Sequence, residues 1–231
     1  MGRKILYLIP ARGGSKGIAD KNIKLMSGKP LLQYTVDVAL EMAEAKDICL
    51  STDSEKIAEV GKKLGLEIPF FRPEHLSNDT ASTVAVAQHA IEFYESKGVF
   101  YDLLVVLQVT SPLRTVKHVR EAIDLYSENA DLVISVKETD ANPYYLLYEE
   151  EGAFLQKSKK LPGHILRRQD APKVFQLNGA VYVYNVEKLK KIKSLDELEN
   201  KVKYEMDKLS SVDIDDMIDW DLCEVILSKQ Q

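Results

Sequence analysis

The sequence predicts an α/β fold: a doubly wound, mostly parallel sheet carrying one inserted lobe. Three observations predict it. Short runs rich in leucine and β-branched residues alternate with amphipathic runs, the pattern of βα units closing on a parallel sheet. The first run opens into a glycine-rich turn, at the end of a strand where open sheets bind their ligands. The alternation breaks once, over residues 137–178, a length far above what a βα connection needs.

Strands are expected at 4–9, 47–51, 103–108, 131–136, 180–185 and 202–206. A helix over 31–45 opens after Pro30, and Leu31, Tyr34, Val38 and Met42 recur at helical spacing to make one buried stripe. The Thr52-Asp53-Ser54-Glu55 segment has capping-box spacing, and Gly65 closes the helix behind it. Further helices are expected at 83–96, 116–127 and 215–228. Within the break stand Asn142-Pro143, Glu149-Glu150-Glu151-Gly152, Pro162-Gly163 and Pro172, turn signals that mark it as a lobe of its own.

At 231 residues, with 45% hydrophobic and 29% charged side chains, the chain can bury a full core but is short for two independent domains. The expected organisation is one domain, 1–136 with 179–231, and the lobe 137–178. The net charge of -5, with lysine and arginine scattered, offers no long basic face, which argues against a nucleic-acid partner. Cys49 and Cys223 stand far apart without metal or redox spacing, so no disulfide is expected. No apolar run approaches the roughly 20 residues that cross a bilayer, so the expected location is cytoplasmic, with no membrane partner.

Four segments carry candidate chemistry. Strand one ends in Pro10-Ala11-Arg12-Gly13-Gly14-Ser15-Lys16-Gly17, followed by Lys21-Asn22. Glycines let backbone N–H groups approach phosphate oxygens, and Arg12, Lys16 and Lys21 can together meet a triphosphate's charge. The spacing is neither G-x-x-x-x-G-K-[ST] nor G-x-G-x-x-G. The second segment, Leu107-Gln108-Val109-Thr110-Ser111-Pro112-Leu113-Arg114, follows another apolar strand. Gln108 offers a donor and an acceptor to a base or sugar hydroxyl; equally, Thr110 or Ser111 caps the next helix ahead of Pro112. In the third, Asp213 and Asp215 share a face if the chain is extended, where two carboxylates can hold Mg²⁺; the competing account is an acidic helix start. In the fourth, Arg167-Arg168 near the end of the lobe suits a substrate carboxylate, or is solvated surface. Asp53 can reach a ligand or cap a helix. His75, His89, His118 and His164 show no metal-ligand spacing.

Taken together these segments resemble the CMP-sialic acid synthetases (acylneuraminate cytidylyltransferases) over nearly the whole chain. The resemblance rests on Ala11-Arg12-Gly13-Gly14-Ser15-Lys16-Gly17 with Lys21-Asn22, on Ser51-Thr52-Asp53, on Asp79-Thr80-Ala81-Ser82-Thr83 and on Leu107 to Arg114. It also rests on Arg168-Gln169, on Asn178-Gly179-Ala180 with Tyr182, and on Asp213-Ile214-Asp215. It implies a Rossmann-like sheet of the nucleotide-diphospho-sugar transferase type, with the lobe serving dimerisation. It implies transfer of CMP from CTP to the anomeric hydroxyl of N-acetylneuraminate or a related nonulosonic acid, with release of pyrophosphate. The site it implies has Arg12, Lys16 and Lys21 on phosphates and Asn22 and Thr83 near the nucleotide. Gln108 falls on the acceptor sugar, Asn178 and Tyr182 also bind substrate, and Asp213 and Asp215 hold Mg²⁺ or Mn²⁺. A homodimer is implied too, with Arg168 of the lobe completing the partner's pocket.

Two departures widen the choice of sugar. Tyr145 stands where some members carry lysine after an Asn-Pro pair like Asn142-Pro143, and Gln176 replaces a basic residue. Legionaminic or pseudaminic acid is therefore the alternative acceptor. Readings from other classes are a non-catalytic nucleotide sensor and a sugar 1-phosphate nucleotidyltransferase; the latter's G-x-G-T-R opening is absent.

Overall fold

A computed structural model describes residues 2–15, 17–78, 80–161 and 167–229. The central sheet has six strands: β1 (Ile5–Pro10), β4 (Ile48–Ser51), β5 (Leu103–Leu107), β6 (Leu132–Glu138), β9 (Phe175–Asn185) and β10 (Lys201–Glu205). Their spatial order is β10-β6-β9-β5-β1-β4. All neighbours run parallel except β9, which is antiparallel to both β5 and β6. Two short strands, β2 (Leu25–Met26) and β3 (Lys29–Pro30), form a small ribbon before the first helix. A hairpin of β7 (Tyr148–Glu151) and β8 (Phe154–Lys157) projects between β6 and β9.

Side-chain alternation along the strands builds two apolar layers. Tyr7, Ile9, Leu103 and Val105 face one side and pack with α1 (Leu31–Met42), α2 (Glu55–Lys63), α4 (Val116–Asp124) and α6 (Met217–Ser228). Leu6, Leu8, Leu104 and Val106 face the other and pack with α3 (Thr83–Ser96) and the single turn α5 (Val186–Leu189). Helices on both faces make the sheet doubly wound. Cys49 and Cys223 are both free and buried, one in each layer.

Several boundaries differ from the sequence expectation, each for a physical reason. The helix after β4 is capped by Ser54, whose hydroxyl accepts from the Ile57 N–H, and not by Thr52. Thr52 is fully buried, bridges Phe71 beside the sheet, and spends its Oγ1 on the Ser54 N–H. Neither Thr110 nor Ser111 caps α4; Thr115 and His118 form its capping box, so residues 108–114 are free to be a turn. α6 begins at Met217, with Asp216 as cap, leaving Asp213 and Asp215 ahead of the helix. β9 starts at Phe175, five residues before the expected strand, because Gln176 and Phe175 extend the ladder against Lys137 and Glu138. Both ends of residues 137–178 thus belong to the sheet.

Candidate active site

The chain leaves β1 toward β4 and returns to β5 on the other side of β1, so the carboxyl ends of β1 and β5 flank a topological switch point. A cleft of about 350 Å³ lies there. Its walls include Arg12 and Lys21 from the first loop, Asn22, Thr83 at the start of α3, Gln108 and Thr110 after β5, and Asp215. The structure therefore brings together six residues of the expected site that lie more than two hundred positions apart at the extremes. Lys16 lies outside the described residues, as does Asp79.

The glycine-rich loop is held open by its own partners. The Gly13 N–H donates to Asp53 Oδ1 at 2.8 Å, and Asn22 Nδ2 donates to the Arg12 carbonyl at 2.9 Å. Lys21 Nζ donates to the Ile214 carbonyl at 2.5 Å, fastening the loop to the acidic segment. Gly17 passes so close to that segment that a Cβ there would lie 2.3 Å from the Asp215 carbonyl oxygen; only glycine allows the approach.

Asp213 and Asp215 differ in environment. Asp215 is exposed at the cleft, whereas Asp213 is partly buried, and among the described residues its Oδ1 has no hydrogen-bond partner. Burial pushes the Asp213 carboxyl above the usual carboxylate range; Thr110 hydrogen bonding opposes this, the nearby Asp215 charge adds to it and Lys21 lowers it. An orphaned carboxylate oxygen beside a second carboxylate fits a divalent cation. Among the described residues no cluster of three His, Cys, Asp or Glu groups forms, so phosphate oxygens and water must complete any octahedron.

The acidic segment is positioned from three directions. The Ile214 N–H donates to the Thr110 carbonyl at 2.9 Å. Asp219 Oδ2 accepts from the Asp215 N–H at 3.0 Å, so the acidic helix start is real but belongs to Asp216 and Asp219. Asn178 Nδ2 donates to Ser211 Oγ at 2.9 Å, while its Oδ1 accepts from Ser135 Oγ at 2.6 Å. Although Asn178 borders a second cavity, its amide is committed to holding β9, β6 and the loop before Asp213 in register. The ladder shifts register at this point, and Gly179 has φ +73 with its α-carbon facing Asp213.

Tyr182 lies in the apolar layer against α3, stacked on Tyr184 and facing Val106 and Ile134 across the ladder. It lines neither cavity. Arg168 is exposed and ion-paired with Asp140, away from the cleft.

Two buried arginines were not singled out from the sequence as site residues. Arg72 is buried beside the cleft, where Nε donates to Ser51 Oγ at 3.0 Å and Nη2 to the Ser51 carbonyl. Burial lowers its pKa to about 10, partly offset by Asp53. It follows no strand or glycine turn, and only the Thr52–Phe71 bridge carries it to the site. Arg114, inside the second motif, is buried without a carboxylate partner among the described residues. It donates to the Gln108 and Ala180 carbonyls at 2.9 and 3.0 Å and to Thr35 Oγ1 at 2.8 Å, fixing the turn that presents Gln108.

A glycine-rich loop, paired cations and a carboxylate pair at the switch point of a doubly wound sheet define a nucleotide-handling α/β protein. A family profile described as cytidylyltransferase matches residues 6–217. The chain belongs to the cytidylyltransferase family. It is 30% identical over 228 residues to the CMP-N,N'-diacetyllegionaminic acid synthase of Legionella pneumophila, covering 99% of this chain and 98% of that one. It is 37% identical over 216 residues to the N-acylneuraminate cytidylyltransferase of Streptococcus agalactiae, covering 92% of this chain but 50% of that one. The chain thus spans half the length of the streptococcal relative. The fold matches a solved CMP:2-keto-3-deoxy-manno-octonic acid synthetase complexed with CTP, at TM-score 0.72 and 16% identity over 99% of this chain and 100% of that one.

Proposed function

We propose that this cytidylyltransferase joins CMP from CTP to the anomeric hydroxyl of a nonulosonic acid. The observation that carries the reading is that two cavities meet at Asp215. The first is the cleft with the loop cations. The second, about 550 Å³, is lined by Lys137, Asp140, Gln176, Lys208, Asp213 and Asp215 among others. A nucleotide in the first and a sugar acid in the second put donor and acceptor on either side of the carboxylate pair.

In this arrangement Arg12 and Lys21 face the triphosphate, and Arg72 supplies a further fixed donor beside the nucleotide. Asp213 and Asp215 would hold Mg²⁺ or Mn²⁺, which when bound neutralises phosphate charge. The anomeric hydroxyl oxygen attacks the α-phosphorus and its proton passes to solvent, the bond to the α,β-bridging oxygen breaks, and pyrophosphate leaves. Arg12 and Lys21 meet the charge that builds on it, so positioning and preorganised donors do most of the work. Gln108, whose backbone carbonyl is held by Arg114 and which borders the first cleft, can offer its amide to a hydroxyl group of a ligand there.

The lobe is proposed to make a homodimer. β7 and β8 form an isolated two-stranded hairpin, which is marginal in water by itself, and Phe154 and Leu155 are 73% and 69% exposed. A partner chain would cover them.

The test is pyrophosphate release with each of the four nucleoside triphosphates against neuraminic, legionaminic and pseudaminic acids. Release with CTP and any of these acids supports the proposal. CTP binding without turnover would make the chain a sensor. Legionaminic acid is the second acceptor reading, favoured by the nearly end-to-end match to the Legionella enzyme and by Gln176 in the acceptor wall.

A further inference from the structure

We propose that Asp140 is an internal stand-in for the carboxylate of the acid sugar, holding Lys208 of the second cavity, and Arg168 beside it, until the substrate displaces it. The inference rests on the reading that this cavity receives the acceptor. Asp140 Oδ2 accepts from Lys208 Nζ, and its Oδ1 accepts from Arg168 Nη2. One carboxylate therefore gathers two cations from distant parts of the chain, as a ligand carboxylate would. Asp140 and Lys208 line the same cavity as Asp213 and Asp215.

Charge in that cavity explains why such a group matters. Two lysines, Lys137 and Lys208, face carboxylates of Glu138, Asp140, Asp213, Asp215 and Asp219, a poor setting for an anion. Most of these carboxylates are engaged elsewhere. Glu138 accepts from Lys173 Nζ at 2.9 Å, and Asp219 accepts from the Asp215 and Asp216 N–H groups. Asp213 and Asp215 are the pair that fits a cation. Asp140 neutralises the Lys208 charge that an incoming acid requires.

Displacement is cheap because the latch is exposed. The Asp140 side chain is 53% accessible, Arg168 56% and Lys208 67%, and ion pairs so open to water are weak. A substrate carboxylate offers the same two oxygens to the same donors, while Asp140 swings into solvent. A neutral sugar offers no replacement and leaves the latch closed. Asp140 thereby competes with the incoming acid for cations that themselves favour an acid over a neutral sugar.

The test is steady-state kinetics on the full chain with the sugar acid and its carboxamide. Asp140→Asn should lower the KM for the acid by about fivefold, the scale of removing a competing exposed pair, with a much smaller change for the carboxamide and for CTP. Lys208→Ala should raise the acid KM by about tenfold, the scale of a lost charge-assisted contact, and the double variant should lose the gain from Asp140→Asn. An acid KM unchanged or raised in Asp140→Asn, or unchanged in Lys208→Ala, overturns the latch while leaving the proposed activity standing. Failure of the wild type to use any of the acids overturns the acceptor reading and the latch with it.

Discussion

Lys21 donates its ammonium to the carbonyl oxygen of Ile214, 193 residues further along the chain. That bond closes the phosphate loop onto the acidic segment, and Gly17 packs against the same segment at Asp215. Loop and carboxylates are therefore joined at two points. Gly17→Ala should lower turnover by about 100-fold or more, the scale of displacing preorganised charge, with circular dichroism unchanged. Near wild-type turnover would show that the close approach is not needed for activity.

Arg12→Ala should also lower turnover by about 100-fold, as for loss of a donor to developing charge. Arg72→Ala acts through a residue with no motif around it, and its loss should appear first in the KM for CTP. Comparing the two with single-turnover kinetics separates the phosphate role from ground-state nucleotide binding. A CTP KM unchanged in Arg72→Ala would remove that residue from the nucleotide site.

Asp213 makes opposite demands on stability and function. Its folded-state pKa is raised, so between the unfolded and folded values the folded state binds more protons. Stability from this group then falls as pH rises through that window, and the cost is fully present above the folded value. Asp213→Asn should accordingly raise the melting temperature of the metal-free protein, by roughly 2–4 °C per kcal/mol at this chain size, while abolishing activity. Asp215→Asn removes the like charge beside it, so the acid limb of Mg²⁺ dependence should move to lower pH. Calorimetric melts and Mg²⁺ titrations across pH 4–8 check both; a lower melting point for Asp213→Asn refutes the strain.

The exposed hairpin makes a prediction about assembly. Phe154→Asp with Leu155→Asp should convert a dimer to a monomer in sedimentation equilibrium, because charges on a buried apolar contact are costly. A wild-type monomer, or a dimer that survives both changes, would remove the hairpin from the interface.

Much of the fold was legible because periodicity reports burial directly. Apolar runs at 4–9 and 103–108 predicted strands that the structure has at Ile5–Pro10 and Leu103–Leu107, and α3 falls on residues 83–96 as its pattern predicts. The glycine turn after β1 and the Gln108 segment after β5 were readable as ligand-facing because strand ends in open sheets converge. Caps were less legible. Thr52 and Ser54 have equal capping chemistry, and only the bridge from Thr52 to Phe71 decides between them.

By itself the sequence determined which residue types sit at the ends of which strands, and so the phosphate loop, the carboxylate pair and the over-long lobe. Tertiary structure alone decided which of them meet. Arg72 reaches the cleft through a single β-bridge, Arg114 turns inward to brace Gln108, and Asn178 spends its amide on Ser135 and Ser211. The physical reason is that side-chain identity sets what a group can bind, whereas burial and the partners brought by long-range contacts set whether a donor is left over for a ligand.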